Sequence, residues 1–177
     1  MSVLSREDIR SRMVAPDHLI TEYHCLEEQL QPNGFDLTVK TIDTIASIGT
    51  IGKSNKNRIL SKIKSIKFCR DGWVELSAGT YLLTLNEIIS LPSDICAIGR
   101  PRSSLLRCGV TVNSALWDAG YTGRSQVLMV VHNNNGFCLY KDSRVLQLAF
   151  IYLSHPVVEG YQGQYQNENI VMRDNPL

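Results

Sequence analysis

The feature that most constrains this chain is its punctuation. From residue 72 onward, short apolar segments alternate with turn-forming residues. Trp73-Val-Glu-Leu alternates, Tyr81 to Leu91 is rich in Leu, Ile, Thr and Tyr, and Ile95 to Ile98 is apolar. Ser125 to His132 and Val145 to Leu153 are the strongest strand candidates. Pro92-Ser93 and Asn133-Asn-Asn-Gly break the pattern where turns are needed. Strands this short, spaced about 8–12 residues apart, bury their apolar faces by closing a sheet on itself or stacking two sheets.

Helical patterning is confined to two places. Ser5 followed by Arg-Glu-Asp caps a helix and puts acids in its first turn, which predicts a short helix from about Ser5 to Met13, ended near Pro16. Ser103 to Cys108 holds helix formers, and Gly109 supplies a C-terminal cap. Residues 19–30 fit a strand or a short helix. Gln31-Pro-Asn-Gly is a turn leading into an extended Phe35-Asp-Leu-Thr-Val. Residues 49–67, rich in Gly, Ser, Asn and Lys, are expected to form an exposed loop between strands. After Pro156 the chain turns polar. The expectation is a mainly β fold, a distorted barrel or jelly-roll-like body with a short N-terminal helix and one short internal helix. It forms a single domain over 1–160, followed by a flexible tail over 161–177.

Composition narrows the function classes. Lys plus Arg is 18 and Asp plus Glu is 17, a formal charge of +1. Bulk charge gives no reason to expect nucleic acid or a membrane as partner, so an anionic ligand must be held by a local cluster. The five cysteines, at 25, 69, 96, 108 and 138, show no CxxC pair or zinc spacing and read as reduced thiols. The N-terminal MSVLSREDIR has no apolar signal core, and a cytoplasmic location is expected. Gly52-Lys-Ser is not a P-loop, because that motif would need a glycine at position 47, which is Ser47.

Two clusters carry chemistry. Arg100-Pro-Arg-Ser-Ser-Leu-Leu-Arg sets arginine forks and hydroxyls at a helix start, a cradle for a polyphosphate; the plainer reading is a capped helix with a solvated basic face. Asp118, between Trp117 and a glycine turn, is placed to act as a general base toward water, though an aspartate before Ala-Gly more often caps its own turn. Asp36 has the same structural alternative.

Taken in order, four segments resemble the motifs of dUTP pyrophosphatases: Gly34-Phe-Asp-Leu, Pro101-Arg-Ser-Ser-Leu, Asp118-Ala-Gly-Tyr-Thr-Gly and Asp142-Ser-Arg-Val-Leu-Gln-Leu. Gly120 replaces an aspartate of the third motif, and Asp142-Ser143 departs from the Gly-Asp of the fourth. QPNGFDLTV, PRSSLLR and WDAGY are similar to the branch that shares its fold with dCTP deaminases, archaeal-type dUTP pyrophosphatases above all.

The resemblance, over roughly residues 30–168, implies the dUTPase fold and hydrolysis of dUTP to dUMP and pyrophosphate. It implies that Asp118 activates the water, that Tyr121 packs on the deoxyribose, and that Asn113 reads the pyrimidine edge. Arg102, Ser103, Ser104 and Gln147 would contact phosphates. Asp36 would lie near Mg2+ through water. Tyr165 and Gln166 would close the tail over the substrate, with Tyr161 and Gln162 as alternatives. A homotrimer with interfacial sites is also implied.

The rival readings are a dCTP deaminase, a bifunctional deaminase–pyrophosphatase, and a non-catalytic nucleotide binder. Deamination needs a glutamate on the strand after the third motif. Leu128 or Val130 falls there, no Asp or Glu occurs between Asp118 and Asp142, and His132 is a weak substitute.

Overall fold

The computed structural model describes residues 2–170. Its elements are α1 (Arg6–Arg12), β1 (Ile20–Thr21), α2 (Leu26–Gln29), β2 (Leu30–Gln31), β3 (Gly34–Ile45), β4 (Ile63–Ile66), β5 (Trp73–Leu76), β6 (Gly79–Leu85) and β7 (Ile88–Ser90). There follow β8 (Ile95–Pro101), α3 (Ser103–Arg107), β9 (Val110–Asn113), β10 (Thr122–Gly123), β11 (Gln126–Val131), β12 (Phe137–Tyr140) and β13 (Arg144–Tyr152).

The main sheet runs β8-β13-β3-β6-β11-β9, every pair antiparallel. Its two ends meet: Ala97 of β8 bridges Trp117, four residues beyond β9. The sheet is therefore a nearly closed barrel, in which backbone pairing runs almost without an edge. Smaller sheets β1-β7-β10 and β12-β5 complete the walls. Phe35, Leu37, Ile42, Leu83, Met129, Leu146, Leu148 and Phe150 fill the interior with no accessible surface.

β11 reads as a continuous apolar run, yet it alternates. Val127, Met129 and Val131 are buried, while Leu128 and Val130 are only half-buried on the opposite face.

α1 forms where its cap predicts. The Ser5 hydroxyl accepts from the Asp8 amide, and the Asp8 carboxylate accepts from the Ser5 amide, a reciprocal capping box. Residues 19–31 hold both of the expected alternatives, two bridging strands and one helical turn.

The 49–67 segment departs from a plain loop. β4 pairs with β3 in register Ile45↔Ile63, and a second bridge joins Thr50 to Ile59, so the segment is a hairpin. Residues 63–66, Ile-Lys-Ser-Ile, carry no period-2 alternation, so this strand is set by its pairing with β3 rather than by local pattern.

The chain continues back over the barrel after Gly160. Tyr161 donates its amide to the Ala119 carbonyl at 2.8 Å, and Asn167 to the Thr122 carbonyl at 2.7 Å. Residues 171–177 of the expected tail lie outside the described residues. Among the described residues, no helix is long and apolar enough to cross a membrane.

Candidate functional site

Asp118 opens a tight turn. Tyr121 donates its amide to the Asp118 carbonyl at 3.1 Å, and Gly120 has φ +86, the left-handed third position of a type II turn. A Cβ on Gly120 would stand 2.7 Å from the Gly160 Cα. Glycine at 120, the departure from the third motif, is therefore required twice, by its dihedral and by the returning tail. The turn leaves the Asp118 side chain exposed, and no described residue hydrogen-bonds its carboxylate.

Beside Asp118 is a cavity of about 270 Å³, walled by Ala115, Leu116, Trp117, Tyr121, Ser125, Gln126, Tyr161, Tyr165 and Glu168. Its polar floor is ordered. Trp117 Nε1 donates to Ser125 Oγ at 2.7 Å. Ser125 Oγ lies 2.8 Å from the Tyr121 hydroxyl, which donates to Glu168 Oε1 at 2.8 Å. Tyr121 has one hydroxyl proton, so donation to Glu168 makes it the acceptor from Ser125, and all three donors point toward the carboxylate.

Burial pushes the Tyr121 phenol far above its ordinary range, against the Ser125 hydrogen bond and with Glu168 adding to the rise, so it stays neutral. Burial likewise raises the Glu168 carboxyl, while the Tyr121 hydrogen bond opposes it. The Tyr121 and Tyr161 rings meet edge to face, with centroids 5.7 Å apart.

The tail residues divide. Tyr165 lines the cavity. Gln166 instead spends its amide on the turn: Nε2 donates to the Gly120 carbonyl at 2.9 Å, and Oε1 accepts from the Thr122 amide at 3.0 Å. Gln162 is exposed and outside the cavity wall. Asn113 ends β9, exposed and two residues before the cavity wall begins.

The remaining sequence candidates gather elsewhere. Arg102 and Ser104 line a second cavity of about 440 Å³, with His24, Glu28, Asp142 and Arg144 among its walls. No residue lines both cavities. Trp117 bridges Ala97, and Arg102 lies five residues farther on, just past the end of β8. At about 3.3 Å per strand residue, that puts it roughly 16 Å away from the Asp118 corner.

Ser103 and Ser104 are exposed, and their hydroxyls are free among the described residues. Gln147 on β13 pairs with Asp36 and Arg100, and the missing side chain of Gly34 admits it: a Cβ there would meet Gln147 at 3.1 Å and the Leu148 carbonyl at 2.6 Å.

Asp36 is buried, 2 % exposed, and its Oδ2 forms ion pairs with Arg102 Nε at 3.0 Å and Arg144 Nη1 at 3.7 Å. Burial raises its carboxyl, and the two arginines oppose that. Both arginines face Oδ2, so that oxygen is not presented to a magnesium ion as a direct ligand. Among the described residues, no group of three or more His, Cys, Asp or Glu is arranged to hold a metal. What Asp36 does is fix the Arg102 fork.

The sequence reading missed Glu168 and Ser125. Glu168 sits in a polar run, Gln-Asn-Glu-Asn, with no local signal; the parallel bridge Gly123↔Glu168 and the tail's backbone hydrogen bonds bring it to Tyr121.

Comparison with known proteins agrees with this architecture. A family model described as dCTP deaminase-like matches residues 3–153. The "Probable deoxyuridine 5'-triphosphate nucleotidohydrolase" of Methanococcoides burtonii is 48% identical over 170 residues, 96% of this chain and 100% of that protein. The deoxyuridine 5'-triphosphate nucleotidohydrolase of Methanocaldococcus jannaschii is 38% identical over 126 residues, 71% of this chain and 80% of that one. Among solved structures, a 2'-deoxycytidine 5'-triphosphate deaminase from Agrobacterium tumefaciens superposes with TM-score 0.65 at 24% identity, over 86% of this chain and 49% of that one; it bears on the fold alone.

Proposed function

The chain belongs to the dCTP deaminase-like family, and we propose that within it the reaction is hydrolysis of dUTP to dUMP and pyrophosphate. The observation that carries this reading is Asp118: an exposed carboxylate, unclaimed by any described hydrogen-bond donor, at the rim of an aromatic-walled cavity. A base of that kind can take a proton from water held within hydrogen-bond reach. The water oxygen bonds to the α-phosphorus, the α–β bridging bond breaks, and pyrophosphate leaves with the bond's electron pair. The names of the relatives support dUTP as the substrate.

In this reading Tyr121 offers its ring to the deoxyribose, Asn113 lies toward the base, and Tyr165 closes the cavity. Arg102, Ser103, Ser104 and Gln147 take the phosphates. Magnesium, which binds chiefly through substrate phosphates, arrives with the triphosphate rather than on a protein carboxylate. Arg102 and Asp118 border separate cavities, which supports a complete site shared between copies of the chain, as a homotrimer would provide.

One observation favours the deaminase reading: Glu168 adds a second carboxyl to the Asp118 cavity. Its oxygen is engaged by the Tyr121 hydroxyl, however, and Leu128 and Val130 offer no proton carrier. Incubation with dUTP and with dCTP separates the cases. Pyrophosphate from dUTP without ammonia from dCTP is expected. Ammonia from dCTP would replace hydrolysis by deamination, and binding without turnover would leave a nucleotide carrier.

A further inference from the structure

We propose that the hairpin over residues 45–67 is an arm that binds duplex DNA through its phosphates. The near-neutral total conceals a segregation of charge. Between Asp43 and Asp71 lie Lys53, Lys56, Arg58, Lys62, Lys64, Lys67 and Arg70, and no acidic residue at all. This stretch therefore carries +7 of the chain's net +1, and all 17 acids lie outside it. None of the seven cations makes an ion pair among the described residues.

The outer part of the arm stands off the body, for no residue from 45 to 65 is buried, and the ladder rejoins the core at Ile66, which packs against it. It is nevertheless shaped. Ala46 donates its amide to the Lys62 carbonyl at 2.7 Å, and Thr50 and Ile59 exchange backbone hydrogen bonds at 2.8 and 2.9 Å. A single 3-10 turn at Asn55–Asn57 closes the tip, capped by the Ser54 hydroxyl. A two-stranded ribbon of this kind is an element the major groove of B-form DNA, about 12 Å wide, can admit.

The placement of polar and apolar groups selects the partner. The tip, Gly52-Lys-Ser-Asn-Lys-Asn-Arg, has no apolar side chain, whereas a segment entering lipid leads with one. Asparagine, serine and lysine are the groups that meet phosphates and base edges. Ile48, Ile51 and Ile59, exposed by 90, 79 and 64 %, flank the tip, where apolar side chains can lie against thymine methyl groups in the groove. The arm has no aromatic residue over 45–67, so it lacks the stacking platforms of a single-strand binder. This surface is independent of the hydrolytic cavity and of the reading given to it.

The test is fluorescence anisotropy of the full chain with a labelled duplex of about 30 base pairs in about 50 mM salt, then at rising salt. Binding is expected, weakening by at least about a hundredfold up to about 200 mM salt if four cations displace counterions. Lys53→Glu/Lys56→Glu/Arg58→Glu should lose at least about tenfold in affinity while turning over dUTP as before. Lys62→Glu/Lys64→Glu, on the ladder rather than the tip, gives the same reading if the triple variant folds poorly. No DNA binding at low salt would overturn the proposal, as would undiminished binding by both variants. Binding to anionic phospholipid vesicles with DNA ignored would assign the arm to membranes instead. A change of oligomeric state in the variants would assign it to a second copy.

Discussion

Single side chains decide the chemistry at this site. Asp118 is set apart from other carboxylates of the barrel: Asp36 is claimed by two arginines, Glu87 by amide and hydroxyl donors, Glu168 by a phenol, and Asp118 by none. Asp118→Asn keeps size and polarity but cannot accept a proton. It should lower kcat for dUTP by about 10²–10⁴-fold while nucleotide affinity changes little. Calorimetric titration beside a pyrophosphate assay checks both, and undiminished turnover would remove Asp118 as the base. The aspartate was legible in the sequence because its turn is written locally, Asp-Ala-Gly-Tyr. Glu168 was not, because its partner Tyr121 lies 47 positions away and the contact depends on where the tail returns.

At the scale of elements, two devices hold the site's surroundings. The first is the corner between β6 and β7. Glu87, 1 % exposed, accepts from the Thr38 amide at 2.9 Å, the Thr38 hydroxyl at 2.7 Å and Gln29 Nε2 at 2.7 Å. The Gln29 carbonyl oxygen in turn accepts the His24 and Cys25 amides, and both of those residues wall the Arg102 cavity. Burial raises the Glu87 carboxyl above its ordinary 4.5 despite these donors. A raised folded value means the folded chain holds the proton more tightly. The associated stability is therefore complete below 4.5 and is lost as pH rises through the raised value. Glu87→Gln removes that titration and turns an amide donor toward a donor, costing about 1–3 kcal/mol. Urea midpoints across a pH series should show the parent's advantage over the variant widening on acidification toward 4.5; a shrinking advantage would contradict the assignment. The second device is the tail clasp. Gly120→Ala places a Cβ against Gly160 and strains a left-handed backbone by about 1–2 kcal/mol. Amide exchange at Tyr161 and Asn167 should quicken while the core strands keep their protection. Unaltered exchange there would mean that the clasp does not depend on Gly120. Periodicity and caps made β11, β13, α1 and α3 readable in advance. The clasp and the β4 ladder were not, since both rest on long-range pairing rather than on local pattern.

For the whole molecule, barrel closure is what separates the functional groups. Ala97 and Trp117 lock the two ends of the sheet together, and β8 then carries the chain away from Asp118 to Arg102. Opening the barrel to shorten that path would expose core residues such as Leu146 and Leu148, which are fully buried. In the proposed homotrimer, association would achieve the same end at no cost to the core. The sequence shows the four motifs in order but not this division, because motif order carries no information about which copy supplies which motif. The division has a direct consequence. Arg102→Ala and Asp118→Asn should each be inactive as pure proteins. Unfolded together and refolded as mixed oligomers, they should recover roughly a quarter of the parent activity, because random pairing gives one site in four an intact Arg102 from one copy and an intact Asp118 from the other. Mixing without subunit exchange should recover nothing and is the control. A refolded mixture that stays inactive, with mixed oligomers demonstrated by native mass spectrometry, would mean that both residues act from the same chain, and the separate cavities would need another explanation.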